Sequence, residues 1–394
     1  MDSFQAQLER DRKGWRMSRH DWFCPAREFL KRTGFLFMAA ISLVGGNAAA
    51  ATYTVVDLAS FTPSLPTVIH GPNSAGQAAG SGKEISDRNG DRGRRGLLLR
   101  GGAKAQEIPG LAVETDDSAI FGLNDAGDFV GSANTATAMR AFIGAAAGPV
   151  KELPPLPGDT ASAGYAVNKL RQAVGFSSGT GGQRAVIWDA NGTPAALPVT
   201  SAMSRGRATG INARGDVTGV VRVAGVQRPV LWQLGQPANQ LVLLAGHVTG
   251  EANAINARGD AVGYSAPASG ARRATLWPAA AGIVVDLGTL PGGDFSQAFD
   301  SNDAGDVVGS STTESVEGSR AFLWTRSGGM QDLNALIPPS SFLLTKAVGI
   351  NNSGMILATG HDVTGAKHSG PHSHDEAHDL PVRVFLLTRS GGGQ

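Results

Sequence analysis

The chain has one cysteine, Cys24, in 394 residues. No disulfide can form within it, so burial and hydrogen bonding must hold whatever fold it adopts. An excess of one charge sign is also missing: 34 Lys and Arg stand against 33 Asp and Glu. Bulk electrostatics therefore give no reason to expect nucleic acid or a charged membrane surface as partner. Aromatic residues make up only 6%, so any fixed column of them carries information. Long apolar runs are absent too. The most apolar stretch, Phe35-Leu36-Phe37-Met38-Ala39-Ala40-Ile41-Ser42-Leu43-Val44, is ten residues long, about half of what a bilayer-spanning helix needs.

That stretch lies between Lys31-Arg32 and Ala48-Ala49-Ala50-Ala51. A basic region, a short apolar core and a small-residue cleavage site make an export signal, not part of a fold. Residues 1–51 are assigned to this leader. Its N-terminal extension is long enough that translation starting at Met17 is an alternative, and a short uncleaved anchor is the competing view of the apolar core. Cleavage leaves a mature chain with no cysteine, 26 Lys and Arg, and 28 Asp and Glu.

What the chain has in abundance is glycine, 54 residues without a collagen period, and an internal repeat. The frame is Asn, a glycine three residues on and another four beyond that, as in Ala-Ile-Asn-Ala-Arg-Gly-Asp-Ala-Val-Gly-Tyr-Ser at 254–265. Its asparagines are Asn73, Asn124, Asn168, Asn212, Asn256, Asn302 and Asn351, spaced 44 to 51 residues apart. The first glycine is replaced by Arg171 in the third copy and the second by Ala358 in the seventh. Asn opens a turn by bonding the backbone two residues on, and the first Gly supplies a left-handed conformation. The second Gly falls inside a strand, where it marks a bulge or a close backbone approach, expected where neighbouring units crowd.

A third strand follows, Arg-Ala-Phe-Leu-Trp at 320–324, with relatives starting at Arg95, Arg140, Arg184, Arg228, Arg273 and Arg383. Trp188, Trp232, Trp277 and Trp324 share one column, which is expected to pack between units. A fourth strand ends each unit, as in Ile283-Val284-Val285-Asp286-Leu287-Gly288. Four short antiparallel strands per repeat of about 46 residues is the spacing of a propeller blade. The expected fold is therefore all-β: a seven-bladed β-propeller over 52–390, with a His-rich insertion at 361–380. The first mature strand, Tyr53-Thr54-Val55-Val56-Asp57-Leu58, matches a fourth strand with nothing before it, and the last unit lacks one. Pairing them would close the ring and remove an exposed edge.

This frame, with Ala-Phe-Leu-Trp followed by Met-x-Asp-Leu, resembles the bacterial extracellular HAF repeat, best over 284–293 and 298–333. Arg stands where that family has His. The resemblance implies export and implies no activity and no catalytic residues.

Three groups are candidate sites. The arginine column (Arg140, Arg184, Arg228, Arg273 and Arg320 at its centre) would form a circle able to hold a polyanion or acidic glycan. Alternatively, each Arg covers apolar surface or pairs with a carboxylate of its own unit. His372, His374 and His378 have the donors and spacing for Zn²⁺, Cu²⁺ or Ni²⁺, though their Gly/Ser/Pro-rich tract suits at most weak divalent binding. No other cofactor is expected. Asp87, Asn89 and Asp91 echo a calcium loop that lacks its glycine and its final glutamate. Both long loops, in units one and seven, join second to third strands and would emerge on one face in adjacent units.

No Ser/His/Asp set or carboxylate pair stands out. The sequence favours a secreted or periplasmic binding module, acting as a monomer on an extracellular glycan, protein or ion through one propeller face. The alternative is a secreted hydrolase or lyase of polysaccharide working on that face or in the channel.

Overall fold

The computed structural model describes residues 53–58, 66–83, 94–111, 117–279, 282–314, 318–363 and 382–390. They form seven four-stranded antiparallel sheets, six of them a single meander from inner to outer strand. The one helical element among them is a 3-10 turn at Leu333–Leu336. The inner strands are Pro66–His70, Ser118–Leu123, Ala161–Val167, Met203–Ile211, Thr249–Ile255, Ser296–Ser301 and Phe342–Ile350, in blades one to seven. This is a seven-bladed β-propeller.

Blade seven takes its outer strand from the other end of the chain. Tyr53–Asp57 pairs antiparallel with Arg383–Arg389, in register from Tyr53 opposite Arg389 to Asp57 opposite Phe385. Leu58 N–H extends the ladder to the Val384 carbonyl at 2.7 Å. The Arg383 guanidinium bonds both Asp57 and Asp362, joining the first described strand to the last blade. Tyr53 and Leu58 are fully buried, so the seam is stapled by apolar packing as well as by backbone pairing.

Apolar clusters straddle the boundaries between blades rather than filling a central core. Val130, Ile143 and Leu153 of blade two meet Val167, Val186 and Trp188 of blade three. Leu357 and Leu386 of blade seven meet Ile69, Leu97 and Leu99 of blade one. The tryptophan column is part of this packing: Trp188, Trp232 and Trp277 are buried, and Trp324 is half-buried against the cluster of blades five and six. The indole N–H groups of the first three donate to the carbonyls of Pro154, Pro198 and Val242 at 2.6–2.9 Å, which lets a polar edge be buried without loss.

The asparagine column does more than open turns. Each side-chain oxygen accepts N–H groups of its own turn, as Asn256 does from Arg258 and Asp260. Each amide nitrogen donates to the backbone carbonyl of the next asparagine: Asn73 to Asn124, Asn124 to Asn168, and so on round to Asn351, which donates to Asn73 at 2.8 Å. The seven bonds form a closed circle, the second lock on the ring. The glycine column beside it holds its left-handed conformation in every blade, and Arg171, which replaces glycine, adopts φ 58° while pairing with Asp128 of the preceding blade.

The second glycine column marks a bulge and a close approach, but the crowding is within a blade, not between blades. A methyl group at Gly131, Gly175, Gly263 or Gly309 would lie 1.9–2.0 Å from a carbonyl oxygen of its own inner strand. That strand carries a one-residue bulge opposite the glycine, which turns the carbonyl over it. In blade seven the contact is made at Gly360, which leaves Ala358 room for its methyl.

Candidate functional site in the central channel

The inner-strand bulge sets what faces the axis. In blades two to seven the extra residue is Phe121, Tyr165, Thr209, Asn253, Phe299 and Val348, each three positions before the turn asparagine. His70 holds the same place in blade one. A bulge re-aims a side chain, and here these six and His70, which pairs with Ala79 without a bulge, line one cavity of about 530 Å³ on the axis, joined by Arg207 and Lys346. In the flanking columns, the position before holds Ile, Gly or Ala and the position after holds Gly or Ala, except Asp300.

The cavity wall is divided. Blades one to three contribute His70, Phe121 and Tyr165, with edge-on ring contacts of 6.2 Å between His70 and Phe121 and 5.5 Å between Phe121 and Tyr165. Two positions earlier, these blades carry Val68, Ala119 and Ala163, where blades four to seven carry Arg207, Glu251, Gln297 and Lys346. Arg207 forms a two-pronged pair with Glu251 at 2.6 and 2.8 Å, and Glu251 is buried. The Lys346 ammonium lies 4.1 Å from the centre of the Phe299 ring, and among the described residues it meets no carboxylate. Thr209 and Asn253 donate to the carbonyls of Ala252 and Ala298, tying each inner strand to the next.

Protonation follows from this burial. Burial, and then the Lys346 charge, bring His70 from 6.5 down to about 4, so its imidazole is neutral at neutral pH. Its Nε2 atom is shut off from solvent without a hydrogen-bond partner among the described residues. Burial also lowers the Lys346 value and raises that of Tyr165. Asp300 is pushed up to about 6 by burial, although the N–H groups of Ile350 and Ser301 oppose the shift. Those two groups occupy its oxygens at 3.0 and 2.8 Å, so it is directed into the joint between blades six and seven.

The cavity extends toward a definite end of the blades. An inner strand starts, a second strand ends and a third strand starts at the same end of a blade. Arg207 and Lys346 lie toward that end, and the asparagine circle lies at the other. The arginine column sits at the same end as Arg207 and Lys346. Arg140, Arg184, Arg228, Arg273 and Arg320 stand opposite Ala133, Ser177, Val221, Ser265 and Ser311, equivalent places in blades two to six. Several are engaged with carboxylates: Arg140 with Glu152 at 3.1 Å, Arg184 with Asp159 at 2.9 Å and Arg273 with Asp286 at 3.2 Å. Arg228 donates to the Gln227 carbonyl at 3.4 Å. The two long loops leave from this end as well, from strand ends at Lys83 and Asp362 in adjacent blades. His372, His374 and His378 in one loop, and Asp87, Asn89 and Asp91 in the other, lie outside the described residues, as does the leader. Among the described residues no group of His, Cys, Asp and Glu is arranged to hold a metal.

Sequence reasoning missed the channel residues because it looked for repetition. Their signal was the opposite: a column that varies between two nearly constant small-residue columns.

No family model matches the chain, and no curated protein does. Solved structures match the fold. The β-propeller domain of the Trilobed protease from Pyrococcus furiosus aligns with a TM-score of 0.52 at 10% identity, over 82% of this chain and 94% of that one. That domain has an open velcro topology, whereas here the Tyr53–Asp57 strand closes the last blade. A puromycin-hydrolyzing peptidase from Mycobacterium tuberculosis aligns at 0.50 and 14% identity, over 87% of this chain and 52% of that one. TolB from Acinetobacter baumannii aligns at 0.43 and 11% identity, over 79% and 80%. At these identities the likeness is one of fold alone. Among the described residues no helix is long and apolar enough to cross a membrane.

Proposed function

We propose that this is an exported binding module whose site is the axial cavity and the propeller face toward which it extends. One observation carries the reading. Among the described residues, the strand column from His70 round to Val348 changes chemistry from blade to blade and lines the cavity, as do Arg207 and Lys346 of the equally varied column two positions earlier. A residue that serves only its blade repeats; residues that serve a ligand differ, because a ligand lacks sevenfold symmetry. The leader in residues 1–51 supports secretion or a periplasmic location, and the HAF-repeat resemblance agrees with export. The arginine circle and the strand ends at Lys83 and Asp362, from which the acidic and His-rich loops leave, lie at the same end of the blades, so a larger glycan or protein ligand would meet them next, with His372, His374 and His378 as candidates for a weakly held divalent ion.

The test is a fragment and oligosaccharide screen by thermal shift, repeated on Thr209→Trp, which fills the cavity. Ligands that stabilise the wild type and are lost in the filled variant support the reading. Ligands that bind both equally would remove the cavity as the site. N-terminal sequencing of the protein recovered from medium and periplasm tests export: a mature end between 48 and 53 is expected, and an intact N-terminus would refute cleavage.

A further inference from the structure

We propose that the cavity takes a carboxylate borne on a six-membered ring, the carboxylate held by Lys346 and the ring lying against Phe121. This rests on the cavity being the binding site and names the class of ligand.

The argument starts from charge. Arg207 is matched by Glu251 in a two-pronged pair, so together they add no net charge to the wall. Asp300, the other buried acid nearby, has both oxygens filled by backbone N–H groups. Lys346 is left as the cation without a carboxylate among the described residues. One side of its ammonium is covered by Phe299, a weak substitute for an anion. The Lys346 ammonium is part-buried on the cavity wall with no carboxylate against it, so an anion entering the cavity would find an opposite charge there.

Geometry then places the anion. His70 and Lys346 come from the inner strands of blades one and seven, neighbours across the seam. They are close enough that the lysine charge acts on the imidazole. The His70 Nε2 atom is closed off from the cavity, so of the two side chains the Lys346 ammonium is the donor an anion there can reach. An ammonium offers three N–H donors, which suits the two oxygens of one carboxylate. Beyond His70 the wall becomes aromatic, Phe121 edge-on to it and Tyr165 next. Flat rings of either kind, aromatic or sugar, lie well on such a surface, and a cavity of about 530 Å³ falls in the range of small-molecule sites. The division of the wall into an aromatic half and a charged half suits a ligand divided in the same way.

Calorimetric titration of the full chain with benzoate and with glucuronate distinguishes an aromatic from a sugar source. Benzamide and glucose serve as uncharged counterparts. At least one acid should bind, its uncharged counterpart at least ten-fold more weakly. Lys346→Met, confirmed as folded by its melting curve, should lose ten-fold or more in affinity for that acid, and Lys151→Met on the exposed edge of blade two should lose none. Equal binding of acid and counterpart, or unchanged affinity in Lys346→Met, overturns the proposal. If uncharged compounds bind and Thr209→Trp abolishes them, the cavity remains the site and only the carboxylate class fails. If neither acid binds and no screened compound depends on the open cavity, both readings fail.

Discussion

Replacing Asn256 by Ala tests the asparagine circle directly. Asn256 is 4% exposed and makes bonds of two kinds. Its oxygen accepts from the N–H groups of Arg258 and Asp260 at 3.0 and 2.9 Å, and its nitrogen donates to the Asn302 carbonyl at 3.1 Å. Alanine removes all of these. Each lost bond of this kind is worth about 1 kcal/mol, and the carbonyl keeps a second donor in Gly305, so the expected loss is about 3 kcal/mol. Asn256→Asp separates the two roles. It keeps the acceptor for the turn but turns a carboxylate toward the Asn302 carbonyl and toward Asp260, whose oxygen lies 3.2 Å from the Asn256 nitrogen. This variant should be weakest at neutral pH and recover as acid protonates the new carboxylate, whereas the alanine variant should show no such recovery. Urea unfolding followed by tryptophan fluorescence reads both. A loss below about 1 kcal/mol for Asn256→Ala, or an aspartate variant as stable as wild type at pH 7, would refute the view that the circle holds neighbouring blades together.

Gly263→Ala places a methyl 2.0 Å from the Glu251 carbonyl and should cost about 3 kcal/mol in the same assay, whereas Ala358→Gly should cost about 1 kcal/mol or less. Tyr53→Ala empties a fully buried site in the seam and should cost about 3–5 kcal/mol; a loss near zero would mean the seam does not limit stability. The contribution of His70 to stability should fall as pH drops from 6.5 toward 4, because the unfolded chain protonates His70 in that range and the folded protein resists it; the difference between the melting profiles of wild type and His70→Gln across this interval reads it. Asp300 acts with the opposite sign. Its raised value favours the folded state when protonated, so its contribution is present below 3.8 and is lost as pH rises to about 6; comparing the melting profiles of wild type and Asp300→Asn across this interval isolates it.

The sequence alone determined the number of blades, the strands within each and the strand that closes the ring. These are set by local chemistry: Asn-x-x-Gly turns, alternating apolar strands, and a first strand, Tyr53 to Leu58, that matches the fourth position. It also marked the tryptophan column as packing, since a bulky residue repeated at a strand end has a neighbouring blade to meet. Only the tertiary structure decided what those columns do across blades. The turn asparagines bond one another because ring closure brings each amide nitrogen to the next blade's carbonyl, a contact between residues 44 to 51 apart, or 278 apart at the seam. The second glycine answers a carbonyl of its own blade, because a bulge in the inner strand changes register by one residue, and no residue type announces that shift. The same bulge turns Phe121, Tyr165, Phe299 and their neighbours toward the axis, where His70 of blade one joins them. Which seven residues meet there is a property of the closed ring, and the cavity they line exists only once it has closed.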